Sequence, residues 1–238
     1  MNILEEIIEN KKVELQNNKS NKYLFKKQFF EKNASVIWEI KLASPKFDYS
    51  SAIDLNKLFK LYWENNNIKA VSNLIDEKYF SWNTNRWKIF KQKYNKPIFF
   101  KEFVIDKKQI EHASYYWYDA LLLLERVLEL ERLIWFINYS TIKNIYPIVE
   151  IDTEKWLKNV LKISGDLDFW IAINCRNLWN MKIDRSKHFT IYNKFESQLK
   201  DKLVFAFSWI DDINQIKEYT WKYNWVLIGT YFMKQIMK

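Results

Sequence analysis

VIWEIKL, residues 36–42, is an apolar, β-branched run in which two charged residues, Glu39 and Lys41, stand two positions apart near the end. Side chains alternate between the two faces of a strand, so these two charges share one face. A parallel strand covered on both sides is usually a nearly continuous hydrophobic run, and charges near its end are the informative exception. The run therefore predicts a buried strand that carries polar groups at its carboxyl end.

Seven further runs of this kind follow, separated by amphipathic segments. The eight predicted strands are Ser35–Leu42, Ile68–Ile75, Pro97–Phe103, Asp119–Glu125, Tyr146–Ile151, Phe169–Cys175, Leu203–Ser208 and Trp225–Thr230. Helical patterns stand between them, such as LNKLFKLYWEN after the first strand, KKQIEHASYYW after the third, TEKWLKNVLKI after the fifth and DDINQIKEYTWKY after the seventh. This alternation is typical of parallel strands joined by helical crossovers.

The loops help to choose between the two common α/β architectures. An open doubly wound sheet usually has a glycine-rich loop after its first strand, and the sequence contains neither GxGxxG nor GxxxxGK[ST]. We therefore predict an α/β fold, a (β/α)₈ TIM barrel, with residues 1–238 forming one domain. Residues 1–32 are predicted to be an N-terminal helical extension with an apolar face.

The composition limits the classes of partner. The net charge of +9 comes from 38 Lys and Arg against 29 Asp and Glu, but the basic residues are scattered, so we expect no nucleic-acid partner. One Cys and two His leave no disulfide framework and no zinc cluster. The sequence shows neither a signal-peptide core nor a run of about 18 apolar residues. We expect a cytoplasmic protein with no membrane partner and no metal.

Polar residues end several of the other predicted strands. Lys101 stands late in the third, Glu150 in the fifth, and Asn174 and Arg176 at the end of the sixth. The carboxyl ends of barrel strands meet at one rim, where active sites are built. The alternative, that each charge lies in solvent beyond the rim, is less plausible for the whole set than for any one member. A basic pocket with two carboxylates suits acid–base chemistry on a small anionic molecule.

These strand ends resemble the indole-3-glycerol phosphate synthase family. The matching motifs are VIWEIKLASP (36–45), LIDEKYF (74–80), PIFFKEFVID (97–106), DALLLLERVL (119–128), PIVEI (147–151), INCRNL (173–178) and VLIGTYFM (226–233). The resemblance covers essentially the whole chain, and the motifs occur in the family's order. It implies the same barrel and a carboxy-lyase of tryptophan biosynthesis. The implied reaction converts 1-(2-carboxyphenylamino)-1-deoxyribulose 5-phosphate into indole-3-glycerol phosphate, carbon dioxide and water, without a cofactor.

The resemblance also implies catalytic roles. Lys101 would be the general acid that protonates the substrate carbonyl, a role that suits a desolvated lysine near other cations. Glu150 would carry the proton transfers of dehydration, and Lys41 would contact the substrate carboxylate. Glu39 would orient these groups and stabilise developing positive charge. Which lysine serves which step is left open.

The remaining implied residues bind the phosphorylated, anthranilate-derived substrate. Asn174, which the resemblance counts with the catalytic residues, and Arg176 would hold its hydroxyls and carboxylate. Phe80 and Leu178 would line the aryl site. The phosphate would be bound by Ser44, Ser208, Gly229 and Thr230. The protein would act as a monomer or in association with other enzymes of the tryptophan pathway.

The chain departs from the family after the seventh strand. An acid, a serine and a glycine are expected there, but the chain has Phe207, Ser208 and Trp209. Tryptophan also stands at glycine-like positions 82, 117 and 225, and the whole sequence has only two glycines against twelve tryptophans. One hypothesis is that a glycine codon of the source organism is rendered as tryptophan.

Other interpretations stay open at this point. The chain could be a decayed enzyme from an AT-rich genome that serves as a binding or structural subunit. A different phosphate-binding barrel, such as a phosphoribosylanthranilate isomerase, would use an early-strand cysteine, whereas Cys175 lies on the sixth predicted strand. His112 and His188 are expected to have structural roles only.

Overall fold

The computed structural model describes residues 32–44, 47–48, 53–75, 96–177, 180, 182–208, 210 and 212–236. Apart from Lys32, the predicted N-terminal extension lies outside the described residues. So do Phe80, Leu178 and Trp209, whose predicted roles therefore stay predictions.

The described residues form a closed barrel of eight parallel strands, as predicted. The strands are β1 (Ser35–Ile40), β2 (Ile68–Leu74), β3 (Ile98–Lys101), β4 (Ala120–Leu124), β5 (Tyr146–Ile151), β6 (Trp170–Asn174), β7 (Val204–Phe207) and β8 (Trp225–Ile228). Each strand pairs with its neighbours in the chain, and β8 closes the ring against β1, with Val36 opposite Val226. Between β1 and the first helix, Ala43–Ser44 pairs antiparallel with Phe47–Asp48.

Strand alternation divides the buried side chains into two cores. One core lies between the strands and the helices; the other fills the barrel lumen. In the lumen, the rings of Tyr146 and Trp170 stack with centroids 4.6 Å apart, and Trp170 stacks on Phe205 at 5.6 Å. These rings belong to the first half of their strands. The lumen is therefore a packed core at this level, and the carboxyl ends of the strands are where this architecture builds its active sites.

Helices join the strands. They are α1 (Leu55–Glu64), α2 (Lys107–Tyr115), α3 (Leu130–Ile142), α4 (Glu154–Ile163), α5 (Ser186–Lys194), α6 (Glu196–Leu199), α7 (Ile216–Tyr219) and α8 (Thr230–Ile236), with a 3₁₀ turn at Ile213–Gln215. Side chains cap the first turns of α1, α2 and α4, from Asp54, Asp106 and Thr153. In the part of the chain that the structure describes, no helix is long and apolar enough to cross a membrane.

The segment after β7 is less helical than its sequence suggests. The pattern DDINQIKEYTWKY predicts one helix, but only the 3₁₀ turn and the four-residue α7 form. Thr220 has an extended backbone, with φ −58° and ψ 144°, which ends α7. The chain then turns directly into β8.

Candidate active site

Four barrel strands end in polar side chains that meet at the carboxyl mouth. Glu39 is the penultimate residue of β1 and Glu150 that of β5, while Lys101 ends β3 and Asn174 ends β6. On β1 the alternation of faces places Glu39 on the same side as Ile37, which lies in the lumen core. The structure thus brings together residues that are up to 135 positions apart in the sequence.

An ion pair between Lys101 and Glu39 lies at the centre of the site. Lys101 Nζ is 2.9 Å from Glu39 Oε2, and the two side chains are only 18% and 10% exposed. Burial by itself lowers the pKa of Lys101, but Glu39 and Glu150 outweigh it, and the pKa is raised above its ordinary value. Lys101 therefore holds its proton firmly at neutral pH.

Carboxylates as well as cations surround this lysine. The resemblance implies a desolvated lysine near other cations, and Arg176 is such a neighbour, but the strongest charge partners of Lys101 are the carboxylates of Glu39 and Glu150. The physical reason is the barrel's closure. β1 and β5 place their carboxylates across the mouth from β3, at distances that sequence spacing does not reveal.

Glu150 is a buried carboxyl held by an amide. Asn174 Nδ2 donates a hydrogen bond of 2.8 Å to Glu150 Oε1. Burial raises the pKa of Glu150, and Lys101 and the Asn174 amide oppose this rise only in part. A carboxyl with a raised pKa can exchange a proton closer to neutral pH than an exposed one, which suits acid–base chemistry.

Two further cations, Lys41 and Arg176, lie near the Lys101–Glu39 pair. Burial lowers the pKa of Lys41, and although Glu39 opposes this effect, Lys101 and Arg176 add to it. The backbone N–H of Arg176 donates to Asn174 Oδ1 at 2.9 Å, and Arg176 forms an antiparallel bridge with Ile183. The described residues on either side of this loop thus pair with each other, and this pairing fixes the backbone of Arg176 next to the end of β6.

The residues expected to bind phosphate lie on different elements and differ in exposure. Gly229 follows β8 and faces Glu39, and Thr230 opens α8 with an exposed side chain. Ser208 follows β7, is half-buried and has a left-handed backbone, with φ 72°. Ser44 is placed in the short antiparallel pair with Phe47.

Strand β7 contributes no polar side chain from its last residue. Phe207 is buried, and its ring lies 5.8 Å from that of Phe99 inside the lumen core. The aromatic ring has replaced the carboxylate that the family pattern predicts at this strand end. The floor of the pocket is consequently apolar on this side.

One inward-facing polar residue was missed by sequence reasoning. Ser72 lies in β2, fully buried and paired in register with Glu39. Its hydroxyl has no hydrogen-bond partner among the described residues. The period-two pattern from Ala70 could have indicated it, because Ala70 lies in the lumen core. No group of three or more His, Cys, Asp or Glu side chains within the described ranges could hold a metal ion.

Comparison with known proteins gives a consistent result. The family model described as indole-3-glycerol phosphate synthase matches residues 2–237. A relative from Petrotoga mobilis, named indole-3-glycerol phosphate synthase, is 30% identical over 98% of this chain and 92% of its own length. A Helicobacter pylori protein named "Tryptophan biosynthesis protein TrpCF" is 31% identical, and the chain spans about half of it, 52%.

Solved structures agree on the fold. A tryptophan synthase alpha-subunit from Pyrococcus furiosus superposes with a TM-score of 0.61 and 11% identity, covering 87% of this chain and 96% of that one. The Campylobacter jejuni tryptophan synthase subunit alpha gives a TM-score of 0.59 at 15% identity, covering 88% and 94%. At such low identity the likeness concerns the barrel architecture alone.

Proposed function

Because the chain belongs to the indole-3-glycerol phosphate synthase family, we propose that it catalyses the ring closure of 1-(2-carboxyphenylamino)-1-deoxyribulose 5-phosphate. The products are indole-3-glycerol phosphate, carbon dioxide and water, which makes the protein a carboxy-lyase of tryptophan biosynthesis. The observation that carries the proposal is the ion pair of Lys101 with Glu39, 2.9 Å apart, beside the Glu150 carboxyl.

Lys101 is the proposed general acid. Ring closure needs a proton donor at the substrate carbonyl, and a lysine that stays charged in a buried site can supply it. The raised pKa of Lys101 ensures that the proton is present at neutral pH. Glu39 holds the ammonium group in place and offsets the positive charge that develops next to it.

Glu150 is the proposed group for the proton transfers of dehydration. Its raised pKa makes it a better proton acceptor than an ordinary carboxylate, and burial keeps water from competing. Asn174 fixes the carboxyl through the hydrogen bond at Oε1. A carboxyl held in this way exchanges its proton with the substrate rather than with solvent.

The remaining polar residues are proposed to bind substrate. Lys41 and Arg176 give the mouth two cations for the substrate carboxylate, and a guanidinium can bind a carboxylate through two parallel hydrogen bonds. Phe80 and Leu178 are proposed for the aryl ring. We propose that the phosphate is bound by Ser44, Ser208, Gly229 and Thr230. Because Phe207 has no polar side chain, Asn174 is proposed to bind the substrate hydroxyls.

We also propose that the enzyme works in the cytoplasm, together with other enzymes of tryptophan biosynthesis. Cys175 is the sequence's single cysteine and is buried, so the fold requires no oxidising compartment, which favours the cytoplasm. The names of its relatives favour a place beside other enzymes of tryptophan biosynthesis.

The test is a direct assay of product. The purified protein is incubated with the carboxyphenylamino-deoxyribulose phosphate, and indole-3-glycerol phosphate is followed by chromatography. Lys101→Met should lose at least about a hundredfold in kcat, the usual size of a general-acid contribution. The matched control is Lys158→Met, which removes an exposed lysine of α4 and should retain activity.

Absence of product from the unsubstituted protein, with a folded barrel by circular dichroism, would contradict the proposal. Such a result would favour a binding or structural subunit. Equal loss in both variants would show that the assay responds to surface charge and not to the site.

A further inference from the structure

Two exposed tryptophans have backbone conformations that favour glycine. Trp117 has φ 58° and Trp221 has φ 73°. A Cβ atom is strained in this left-handed region, and for a bulky residue such a φ is a genuine outlier. Both of the sequence's glycines are described, and neither has a positive φ. The chain therefore places tryptophan, and not glycine, where glycine is needed.

Trp117 occupies a helix end that usually takes glycine. At the end of α2, Tyr118 N–H donates to Ala113 O and Trp117 N–H donates to Ser114 O, both at 3.0 Å. These two bonds define the Schellman motif, in which the residue just past the cap is left-handed and is most often glycine. Trp117 is that residue.

The same motif closes α3 with an ordinary residue. Ile145 N–H donates to Ser140 O at 2.9 Å, and Asn144 N–H donates to Thr141 O at 3.0 Å. Asn144 has φ 61°, nearly that of Trp117, and asparagine tolerates the left-handed region better than most residues. Within one chain, the same motif therefore holds a residue type that tolerates this conformation at 144 and one that is strained by it at 117.

Trp221 occupies the corresponding position of a tight turn. Thr220 has φ −58° and ψ 144°, and Lys222 N–H donates to Tyr219 O at 3.3 Å. With Trp221 at φ 73°, this is a type II β-turn, whose third residue must have a positive φ and is therefore usually glycine. The type II turn at Trp221, like the Schellman motif at Trp117, therefore requires a residue with a positive φ.

Packing does not compensate for the strain. Trp117 is 58% exposed and Trp221 is 85% exposed. The two also cannot form one docking surface, since Trp117 precedes β4 and Trp221 precedes β8, which are four strands apart in a ring of eight. The remaining two left-handed residues among those described, Ala34 and Ser208, have small side chains.

We propose that positions 117 and 221 carry glycine in the protein made by its source cell, because a codon read there as glycine is rendered as tryptophan. The composition agrees, since two glycines stand against twelve tryptophans, while ordinary usage predicts about 17 glycines in a chain of this length. Trp225 is buried in the lumen core without a positive φ, so its backbone gives no reason to include it.

Position 209 adjoins the active site assigned under the proposed function, and the same replacement there would change it. Trp209 directly follows the left-handed Ser208 in the sequence. Glycine at position 209 would remove a large side chain next to a residue proposed for the phosphate. The backbone could then approach an anion closely.

Peptide mass spectrometry of the protein purified from its source cells tests the inference. The expected result is the residue mass of glycine at both 117 and 221, and the same map reads position 209. Tryptophan at either 117 or 221 overturns the proposal. This measurement does not depend on activity, so its failure is distinguishable from failure of the proposed function.

A second measurement uses recombinant protein of the present sequence. Trp117→Gly and Trp221→Gly should each raise Tm by about 2–4 °C, because each relieves a left-handed Cβ. The matched control is Trp135→Gly, which replaces a 46% exposed tryptophan inside α3 and should lower Tm. A fall in Tm for both test variants, similar to that of the control, overturns the inference.

Discussion

A Cβ atom on Gly229 would lie 3.1 Å from Oε1 of Glu39. Cβ atoms are rarely so close to another heavy atom, so the glycine sets how deeply the Glu39 carboxylate can lie against β8. Gly229 has no positive φ, and its role is therefore to provide space and not conformational freedom. The other carboxylate oxygen, Oε2, pairs with Lys101 at 2.9 Å. Glycine on one side and lysine on the other thus fix the carboxylate.

Gly229→Ala tests this arrangement. The added methyl group should push Glu39 by a few tenths of an ångström and lengthen its ion pair, lowering kcat/KM by roughly tenfold, since misplacement by 1 Å can cost about a hundredfold. The matched control is Gly165→Ala, because among the described residues no atom beyond its chain neighbours lies within 4 Å of the added Cβ. Unchanged kcat/KM in Gly229→Ala would show that the site tolerates the shift.

Lys41 and Lys101 should lose their protons at different pH values. The pKa of Lys41 is lowered, chiefly by burial, and that of Lys101 is raised by its carboxylate neighbours. As the pH rises, Lys41 should lose its proton first, below the ordinary lysine value, and the alkaline limb of kcat/KM should report it. Lys41→Arg, which stays charged, should move this limb to higher pH.

Removing Glu39 should affect both lysines in the same direction. Glu39 favours the charged form of each, so Glu39→Gln should lower both pKa values and move the alkaline limb of kcat/KM to lower pH. The control is Glu129→Gln, an exposed position at the start of α3. A pH profile of Glu39→Gln that coincides with the control would contradict the assigned charge coupling.

Asn174→Ala should lower kcat/KM because Glu150 loses its hydrogen-bond partner. The variant loses a hydrogen bond of 2.8 Å to the carboxyl, and bonds to charged groups are worth about 1.5–3 kcal/mol, which corresponds to roughly a 10- to 100-fold loss in kcat/KM. The amide also holds the pKa of Glu150 down, so the acid limb should move to higher pH. A fall in kcat/KM with an unmoved acid limb would indicate substrate binding alone.

The fold could be predicted because the pattern that specifies it is local. Each buried strand is a short apolar run, and each crossover has helical periodicity, so the alternation that gives the barrel is visible in the sequence. The helix after β7 was overestimated because its apolar spacing continues past Thr220. The extended backbone at Thr220 is part of a turn that the periodicity does not show.

The site could be predicted only in part. Glu39, Lys101 and Glu150 were recognisable as charges in apolar strands, but their roles came from the family resemblance. Two features depend on contacts between residues that are distant in the sequence: the pairing of Lys101 with Glu39 and the contact of Gly229 with the same carboxylate. Alternation places Ser72 on the same face as Ala70, but Ser72 was missed because the sequence does not show which face is the lumen side until the register is known.

His188 should make the barrel sensitive to acid. It is buried, and because a carbonyl can only accept, Nε2 donates to Phe207 O at 2.9 Å, while Nδ1 accepts from the Tyr219 hydroxyl at 3.0 Å. Burial lowers the pKa of His188 to about 4, and the bond to Phe207 offsets this only in part. The folded state therefore holds a neutral imidazole at the end of β7.

The free energy of unfolding should fall as this imidazole is forced to take a proton. Between the unfolded pKa of about 6.5 and the folded value of about 4, the unfolded chain binds more protons, so stability rises with pH across this window and is lost on acidification. The loss attributable to His188 is about 3 kcal/mol by pH 4.

Urea unfolding of the protein and of His188→Gln from pH 4 to pH 8 measures this loss, because the difference between the two curves removes the contribution of the carboxylates. The curves should converge as the pH falls from 6.5, since the variant has no imidazole to protonate. Parallel curves would show that His188 is already protonated in the fold or that its bonds are not those described.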